Sequence, residues 1–458
     1  MSERLIIRKA AKILTALFLL LIIQLWLFDF MTAFPGGVLE DDSYFYAQIA
    51  YNIGTTGVST FDLMNVTSGY HFLWCWVLSG VTWMLKYVTT DKMVHLFMYI
   101  YIYVLFLLFI VKNNFSSTWQ RVFALILLSV PPFLMESAMM SFMLIVLVMN
   151  RNNNRIIAHS IAFLLPFVRI DAFIIIILLY YFNRKDSKEW KYVLLSAGIG
   201  AVLQIVVMRV FYGEYMSISG FLKTENLSIV DNLWNNILHN IKFILLLTGL
   251  LLTSYLGKKR PGELHVQRLM VASVLYLIIM LFLNQGVRGW YFFLPIVTII
   301  MNLFYQMDES AKLKYSIITV ICLFVIYERI ENFYTYASDI QYNREFVEKI
   351  REYVPYGEAV FQIDGSGFIG YHSLRKIVNG DGLVNSYDYA RMKSSKMLNT
   401  YLERNNINYL ITNTPLVNEN VVNYAGLIVN LADVKINVER KKPINHYYSH
   451  FTLWKINQ

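Results

Sequence analysis

Long apolar runs, separated by short polar loops, follow one another along the first three quarters of the chain. The first run extends from Ile13 to about Met31, and eleven more lie downstream, at about 71–88, 93–111, 119–135, 137–149, 156–168, 170–183, 192–212, 236–256, 266–284, 290–306 and 314–331. A helix needs about 20 mainly apolar residues to cross a bilayer, and most of these runs approach that length. The pattern therefore predicts an all-α membrane domain over residues 1–334.

Basic residues predict the orientation of these runs, because Lys and Arg concentrate in cytoplasmic loops. Four basic residues precede the first run, which is too long for a cleaved signal peptide, so we expect an uncleaved anchor with a cytoplasmic N-terminus. Basic clusters at 151–155, 184–191, 258–260 and 312–314 all fall on one side. The loop 32–70, the loop 213–235 and the C-terminal region are then predicted to lie on the outer face.

The number of runs conflicts with this orientation. Twelve crossings would return the C-terminus to the cytoplasm, so one run cannot be a full span. The conflict lies within 71–135, where three runs separate two sites assigned to the outer face. Pro131 and Pro132 would break a helix there, and the run 71–88 can lie partly in the membrane interface. We therefore expect about 11 transmembrane helices.

The composition changes after about residue 335, where short β-like segments with Gly-containing turns replace the long apolar runs. The patterns predict strands at Glu358–Asp364, Phe368–Ser373, Ile377–Asp381, Ile407–Thr412 and Tyr447–Ile456, and a helix at Tyr387–Asn405. A segment of this length can hold its own core. Residues 335–458 are therefore predicted to form a small extracytoplasmic α/β domain.

Composition supports a multi-pass membrane protein. The 458 residues are 57% hydrophobic and 16% charged, and a soluble domain could not bury that much apolar surface. The net charge of +9 does not indicate a nucleic-acid partner, because the basic residues lie in the short loops. Cys75 and Cys322 both lie within apolar runs, so neither a disulfide framework nor a cysteine metal site is predicted.

Ionisable side chains concentrate at the predicted outer ends of the spans. Such groups are costly at membrane depth and usually face a cavity or one another. They comprise four carboxylates and three cations, accompanied by a tyrosine and a histidine: Asp41, Asp42, Glu136 and Asp171; Arg169, Lys223 and Arg288; Tyr70 and His71. Simpler interpretations exist for each type, because carboxylates can begin a helix, an Arg–Asp pair can join two helices, and a lone cation can reach the interface.

This combination of charges suits one kind of chemistry, the handling of an anionic lipid-linked group beside a general base. Cations can hold a phosphate leaving group through charge-assisted hydrogen bonds. A carboxylate can remove the proton from an acceptor hydroxyl as that hydroxyl attacks.

Short motifs along the chain occur in an order that is typical of one family. An acidic pair followed by aromatics, Asp41–Tyr46, precedes the segment Thr67–Trp74, and further motifs follow at Met135–Ala138, Val168–Ala172, Phe211–Gly213, Ser219–Lys223, Asp364–Tyr371 and Asn379–Asn385. The ordered set resembles bacterial GT-C-fold glycosyltransferases, polytopic relatives of protein mannosyltransferases and of the lipid A aminoarabinose transferase. The resemblance covers nearly the whole chain.

The resemblance implies an inverting transfer of one sugar from a polyprenyl-phosphate sugar to an acceptor on the outer face of the bacterial cytoplasmic membrane. It implies that Asp41 is the base, with Asp42 in support, and that Glu136 and Asp171 orient the sugar or the base. Arg169, Lys223 and Arg288 would hold the phosphate, with His71 and Tyr70 as further substrate contacts. The acceptor would be a surface polysaccharide, a glycolipid or a protein. No cofactor is expected, although oligosaccharide-transferring relatives use a metal, so a divalent ion stays open.

Three positions depart from the family pattern. Ser68 stands where Asn is usual, Phe72 where Pro is usual, and Leu134 where Gly is usual. The first two are close to the presumed active loop, so substrate placement there can differ. Two other functions remain open: a flippase or transporter of lipid-linked sugars, and a non-catalytic glycan-binding protein of envelope assembly.

Overall fold

A computed structural model of the chain describes residues 39–115, 118–128, 134–150, 154–184, 188–224, 229–255, 264–284, 286–305, 318–323, 325, 342–413, 417–418, 421–425, 427–439 and 450–456. The predicted anchor from Ile13 to about Met31 lies outside these residues, and so does most of the predicted run at 314–331.

Helices make up most of the described chain before residue 306. They are α1 Asp41–Thr56, α2 Phe72–Leu85, α3 Lys92–Asn114, α4 Thr118–Leu128, α5 Ser137–Asn150, α6 Arg155–Val168, α7 Ala172–Asn183, α8 Glu189–Tyr212, α9 Ile218–Thr224, α10 Ile229–His239, α11 Ile241–Tyr255, α12 Leu264–Leu283 and α13 Phe293–Tyr305. A 3₁₀ turn, Gly289–Phe292, leads directly into α13.

Three of the described helices, α3, α8 and α12, are long and apolar enough to cross a membrane. The pair α10 and α11 makes a fourth candidate if its 80° bend belongs to one broken span. Five shorter apolar helices accompany them, namely α2, α5, α6, α7 and the segment Gly289–Tyr305. The described structure thus supports a helical protein with apolar helices of membrane-spanning length, while the number of about 11 spans stays a prediction.

The C-terminal domain contains a seven-stranded mixed sheet. Its strands are β1 Ala359–Gln362, β2 Lys376–Asn379, β3 Tyr409–Asn413, β4 Val417–Asn418, β5 Val421–Tyr424, β6 Leu427–Glu439 and β7 His450–Ile456, in the spatial order β2-β1-β3-β7-β6-β5-β4. β1 is parallel to β2 and β3, and the remaining pairs are antiparallel. Four helices accompany the sheet: α14 at 342–353, α15 Ser366–His372, α16 Tyr387–Ser394 and α17 Leu398–Arg404.

The domain confirms most of the predicted elements and corrects two. The strands predicted around residues 359–362, 377–379, 409–412 and 450–456 are present. The strand predicted at Phe368–Ser373 is wrong, because this segment forms α15, whose buried Phe368, Ile369 and Tyr371 pack beside α1. The single helix predicted at Tyr387–Asn405 is also wrong, since a left-handed residue, Lys396, separates α16 from α17.

The chain contacts the C-terminal domain both before and after helix α2, which covers most of the predicted run 71–88. Just before α2, Gly69 lies against the backbone of Leu383. At the start of α3, the amine of Lys92 donates a hydrogen bond to the carbonyl of Tyr371 at 3.1 Å. With 14 residues, α2 is also shorter than a span requires. These contacts agree with the prediction that the run 71–88 lies partly in the membrane interface, and the number of crossings stays a prediction.

One face of α2 is both apolar and exposed. Trp76, Trp83 and Met84 are 42%, 57% and 61% exposed, and Tyr87 follows at 75%. These positions recur at helical spacing, and Trp and Tyr favour the boundary between lipid and water. This face therefore suits a helix that lies in the plane of the membrane interface.

We expect a fluorophore on Trp83→Cys, in protein reconstituted into vesicles, to be quenched most strongly by lipids that carry a nitroxide near the headgroup. Ile199→Cys is the matched control, because Ile199 is 54% exposed near the middle of α8 and should respond best to a nitroxide deep in the acyl chains. A deep response from both positions would contradict the interfacial placement of α2.

Candidate active site

A cavity that is open to solvent lies between the start of α1, the loop before α2, the start of α5, helix α9, the 3₁₀ turn and the C-terminal domain. Its lining residues are Asp42, Phe45, Tyr46, Gly69, Tyr70, His71, Met135, Glu136, Arg169, Ser219, Lys223, Trp290, Tyr291, Leu383 and Val384. Six of the nine predicted site residues are among them. The other three, Asp41, Asp171 and Arg288, lie around the cavity rather than on its wall.

A buried ionic cluster forms one wall. Arg169, which is only 2% exposed, donates from Nε and Nη2 to the two carboxylate oxygens of Asp171, at 2.9 and 2.7 Å. Its Nη1 donates to Oε1 of the fully buried Glu136 at 2.5 Å. One guanidinium thus connects the start of α5 to the junction of α6 and α7. Arg169 is therefore committed to two carboxylates, which favours a structural role over a phosphate contact.

Three tyrosines complete this cluster, and the sequence analysis did not identify them. Tyr46 donates to Glu136 Oε2 at 2.8 Å, and Tyr276 donates to Asp171 Oδ2 at 2.9 Å. The ring of Tyr291 lies 4.2 Å from the guanidinium carbon of Arg169, a cation–π contact. These residues sit in aromatic-rich apolar segments, where nothing in the sequence distinguishes a tyrosine that bonds a carboxylate from one that only packs.

The predicted contacts Tyr70 and His71 occupy the rim of the ionic cluster. His71 Nε2 lies 3.5 Å from Glu136 Oε1, so the imidazole is beside the buried carboxylate. The hydroxyl of Tyr70 is 3.0 Å from that of Tyr212 and accepts a hydrogen bond from Ser59 at 2.9 Å. Tyr70 therefore joins the loop before α2 to the end of α8, and it also lies on the cavity wall.

The adjacent carboxylates Asp41 and Asp42 face different surroundings. Asp42 lines the cavity, whereas Asp41 accepts a hydrogen bond from the backbone N–H of Phe368, at 3.2 Å, in the C-terminal domain. Burial raises the pKa of Asp41 well above its ordinary range, and the nearby charges of Asp42, Asp381 and Asp364 raise it further. Burial also raises the pKa of Asp42, while Lys223 and Arg288 oppose that rise. Of the two, Asp42 has the cationic neighbours.

The positive charges of the predicted cations Lys223 and Arg288 both lower the pKa of Asp42. Only Lys223 lines the cavity. The Arg288 side chain is exposed, at the N-terminal end of the 3₁₀ turn that carries Trp290 and Tyr291. Positive charge is therefore present on the wall and at the edge of the cavity.

Asn236 on α10 and Asn240 just after that helix hold the segment that leads to this turn, and the sequence analysis missed them. Asn236 donates to the carbonyls of Leu281 and Asn284, at 2.9 and 2.8 Å, and accepts from the N–H of Val287 at 2.8 Å. Asn240 donates to the carbonyl of Val287 at 2.7 Å. Their spacing of four residues places both on one helix face, a signal that could have identified them.

The comparisons with known proteins add no family assignment. No protein-family model and no curated protein sequence matches the chain. Within the described parts of the chain, no three His, Cys, Asp or Glu side chains are grouped as metal ligands. The resemblance to GT-C glycosyltransferases therefore stays a prediction that depends on the ordered motifs.

We expect Arg169→Met to destabilise the protein by about 3–5 kcal/mol, because it leaves Glu136 and Asp171 as buried, uncompensated charges. Thermal unfolding in detergent measures the effect. The matched control is Arg155→Met, which removes a 2.8 Å ion pair to Glu189 whose arginine side chain is 72% exposed, and should cost at most about 1 kcal/mol. Equal losses in both variants would contradict the proposed structural importance of Arg169.

The pH dependence of stability should report on Asp381, which lies near Asp42 and Asp364. Burial, supported by the charge of Asp364, raises the pKa of Asp381 from 3.8 to about 7. The folded protein then binds this proton more tightly than the unfolded chain, so stability from Asp381 falls as pH rises from about 4 to about 7. Relative to Asp381→Asn, the melting temperature of the wild type should decrease over that window and then level off. A relative increase would contradict the raised pKa.

Proposed function

We propose that this chain is a membrane glycosyltransferase that moves a single sugar from a polyprenyl-phosphate sugar to an acceptor hydroxyl, on the outer face of a bacterial cytoplasmic membrane. The observation that carries the proposal is the presence of the Asp42 carboxylate and the Lys223 amine on the wall of one cavity. A base and a phosphate ligand on the same cavity are what this transfer requires. The motif order supports the same reaction class.

The proposed chemistry is one displacement at the anomeric carbon of the sugar. The acceptor oxygen forms a bond to that carbon while the bond from the carbon to the phosphate oxygen breaks, so the configuration inverts. The acceptor proton passes to a carboxylate, and the polyprenyl phosphate leaves with the bonding electrons. Lys223, with Arg288 at the edge of the cavity, stabilises the charge that develops on the phosphate.

We favour Asp42 over Asp41 as the base, although the resemblance implies Asp41. Asp42 lines the cavity, while Asp41 is turned toward Phe368 and carboxylates of the C-terminal domain. Burial raises the pKa of both carboxyl groups, so the choice rests on position and on the cationic neighbours of Asp42. Asp41 would then support the geometry of the helix start.

The cavity has the character of a site for a small polar group attached to a lipid. Ligand-binding pockets combine apolar walls with a few convergent polar groups, and this cavity has both. Phe45, Trp290 and Tyr291 provide aromatic surface beside the charges. The ionic cluster around Arg169 keeps one wall in place without using Asp42 or Lys223.

We expect Asp42→Asn to reduce transfer by about 10²–10⁴-fold, the usual contribution of a general base. The assay incubates purified, reconstituted protein with defined polyprenyl-phosphate sugars and candidate acceptors, and measures release of polyprenyl phosphate together with glycosylated product. Asp41→Asn is the matched control, with a smaller expected loss. Unfolding transitions of both variants show that each protein is still folded.

Three results would contradict parts of this proposal. Full activity in Asp42→Asn with loss in Asp41→Asn would transfer the base role to Asp41, as the resemblance implies. Retained transfer in the double variant would remove both carboxylates from the chemistry. Movement of the intact lipid-linked sugar between leaflets, with no product from any donor, would favour the flippase or transporter function instead.

A further inference from the structure

Three distant parts of the chain meet at one pair of hydroxyl groups beside the cavity. The Ser68 Oγ of the outer loop and the Tyr387 Oη of the C-terminal domain lie 2.9 Å apart. Ser68 Oγ accepts a hydrogen bond from the N–H of Ile218, the first residue of α9, at 3.2 Å. The hydroxyl of Tyr387 donates to the carbonyl of Met216.

The number of hydroxyl protons fixes the donor and acceptor roles in this group of hydrogen bonds. Because the Tyr387 hydroxyl has one proton and gives it to Met216, it must accept from Ser68. Ser68 in turn accepts from Ile218. The bonds therefore run in one direction, from the Ile218 N–H through Ser68 and Tyr387 to the Met216 carbonyl. They hold the start of α9 at two points, the N–H of Ile218 and the carbonyl of Met216. Lys223 lies one and a half turns further along that seven-residue helix.

Steric fit around Gly69 brings the C-terminal domain onto the cavity at the same place. A Cβ atom on Gly69 would lie 1.8 Å from the carbonyl oxygen of Leu383, so no larger residue fits without separating the two segments. Leu383 and the following Val384 are cavity-lining residues. The rings of Phe221, in α9, and Tyr387 also pack edge to face, with centroids 6.3 Å apart. The domain thus contacts the segment that carries Lys223 through side chains as well as through the hydroxyl groups.

We propose that the C-terminal domain forms one wall of the active site, and that Tyr387 is a positioning residue that holds Lys223 at the cavity. The inference deepens the proposed function and rests on it for its kinetic consequence. Tyr387 does not line the cavity, so it acts through α9 rather than on the substrate. Loss of its hydroxyl should therefore weaken the use of the phosphate-bearing donor, without removing the base.

The position of Lys223 can be tested without an activity assay. We would introduce Lys223→Cys as a reporter and measure its rate of modification by a soluble maleimide in reconstituted protein. The two natural cysteines, Cys75 and Cys322, are both buried, and the parent chain without the reporter measures their background. Adding Tyr387→Phe should raise the modification rate about three- to tenfold, as expected for the loss of a hydrogen bond that holds the segment.

The hydroxyl chain also predicts how two substitutions combine. Ser68→Ala should raise the modification rate as Tyr387→Phe does, and the double variant should raise it further, because each substitution removes a different bond to the segment, from Ser68 to the N–H of Ile218 or from Tyr387 to the carbonyl of Met216. Tyr356→Phe is the matched control, because Tyr356 lies in the same domain and is 88% exposed. Its rate should equal that of the reporter chain alone.

Gly69→Ala tests the close approach by a different route. It should also raise the modification rate of the reporter, because the added methyl group separates Leu383 from the loop. Gly80→Ala is its control, since a Cβ at Gly80 meets no atom within 4 Å. Unchanged modification in Tyr387→Phe, Ser68→Ala and Gly69→Ala would overturn the proposal. Unfolding curves identify a variant that does not fold, and the remaining two then decide the outcome.

Transfer kinetics distinguish the positioning role of Tyr387 from the proposed function. With Lys223 intact, Tyr387→Phe should raise KM for the polyprenyl-phosphate sugar several-fold and change kcat less, while Asp42→Asn mainly lowers kcat. If Tyr387→Phe speeds modification of the reporter cysteine but no form of the protein transfers sugar, the positioning role is supported and the proposed function is contradicted. Transfer by the wild type, with modification and KM unchanged in Tyr387→Phe, would support the function and contradict the positioning claim.

Discussion

The buried guanidinium of Arg169 is the interaction on which the rest of the site depends. It balances Glu136 and Asp171 where helices α5, α6 and α7 meet, and each carboxylate also accepts a hydrogen bond from a tyrosine. Charges in a low-dielectric interior are stable only when they are paired and hydrogen-bonded. The ends of these three helices must therefore keep their relative positions, and this requirement fixes one wall of the cavity.

The other walls come from three further segments of the chain. Asp42 is at the start of α1, Lys223 lies on the short helix α9, and Leu383 and Val384 belong to the C-terminal domain. These segments are brought together by hydroxyl contacts, by the close approach at Gly69 and by asparagine bonds to the backbone before the 3₁₀ turn. One wall of the cavity is therefore held by buried ion pairs, while another depends on the contacts of the C-terminal domain.

The sequence allowed the chemical groups to be predicted better than their arrangement. Asp42, Glu136, Arg169 and Lys223 stand out because charge is rare among apolar runs, and they do meet at one cavity. The division of roles between Asp41 and Asp42 could not be predicted, because it depends on the docking of α15 against α1. Tyr276 was missed because its long-range bond to Asp171 leaves no local pattern. The segment Phe368–Ser373 was misassigned because a short buried helix and a short buried strand have the same apolar composition.

We propose that this cavity holds the reacting part of a lipid-linked sugar. The most direct measurement is photo-crosslinking of the reconstituted protein with a polyprenyl-phosphate sugar that carries a diazirine on the sugar, followed by mass spectrometry of the labelled peptides. Our account predicts labels on residues 40–46 and 217–224, both lost when unmodified donor is added in excess. Labels that lie only outside the cavity, or that persist in the presence of competing donor, would contradict it.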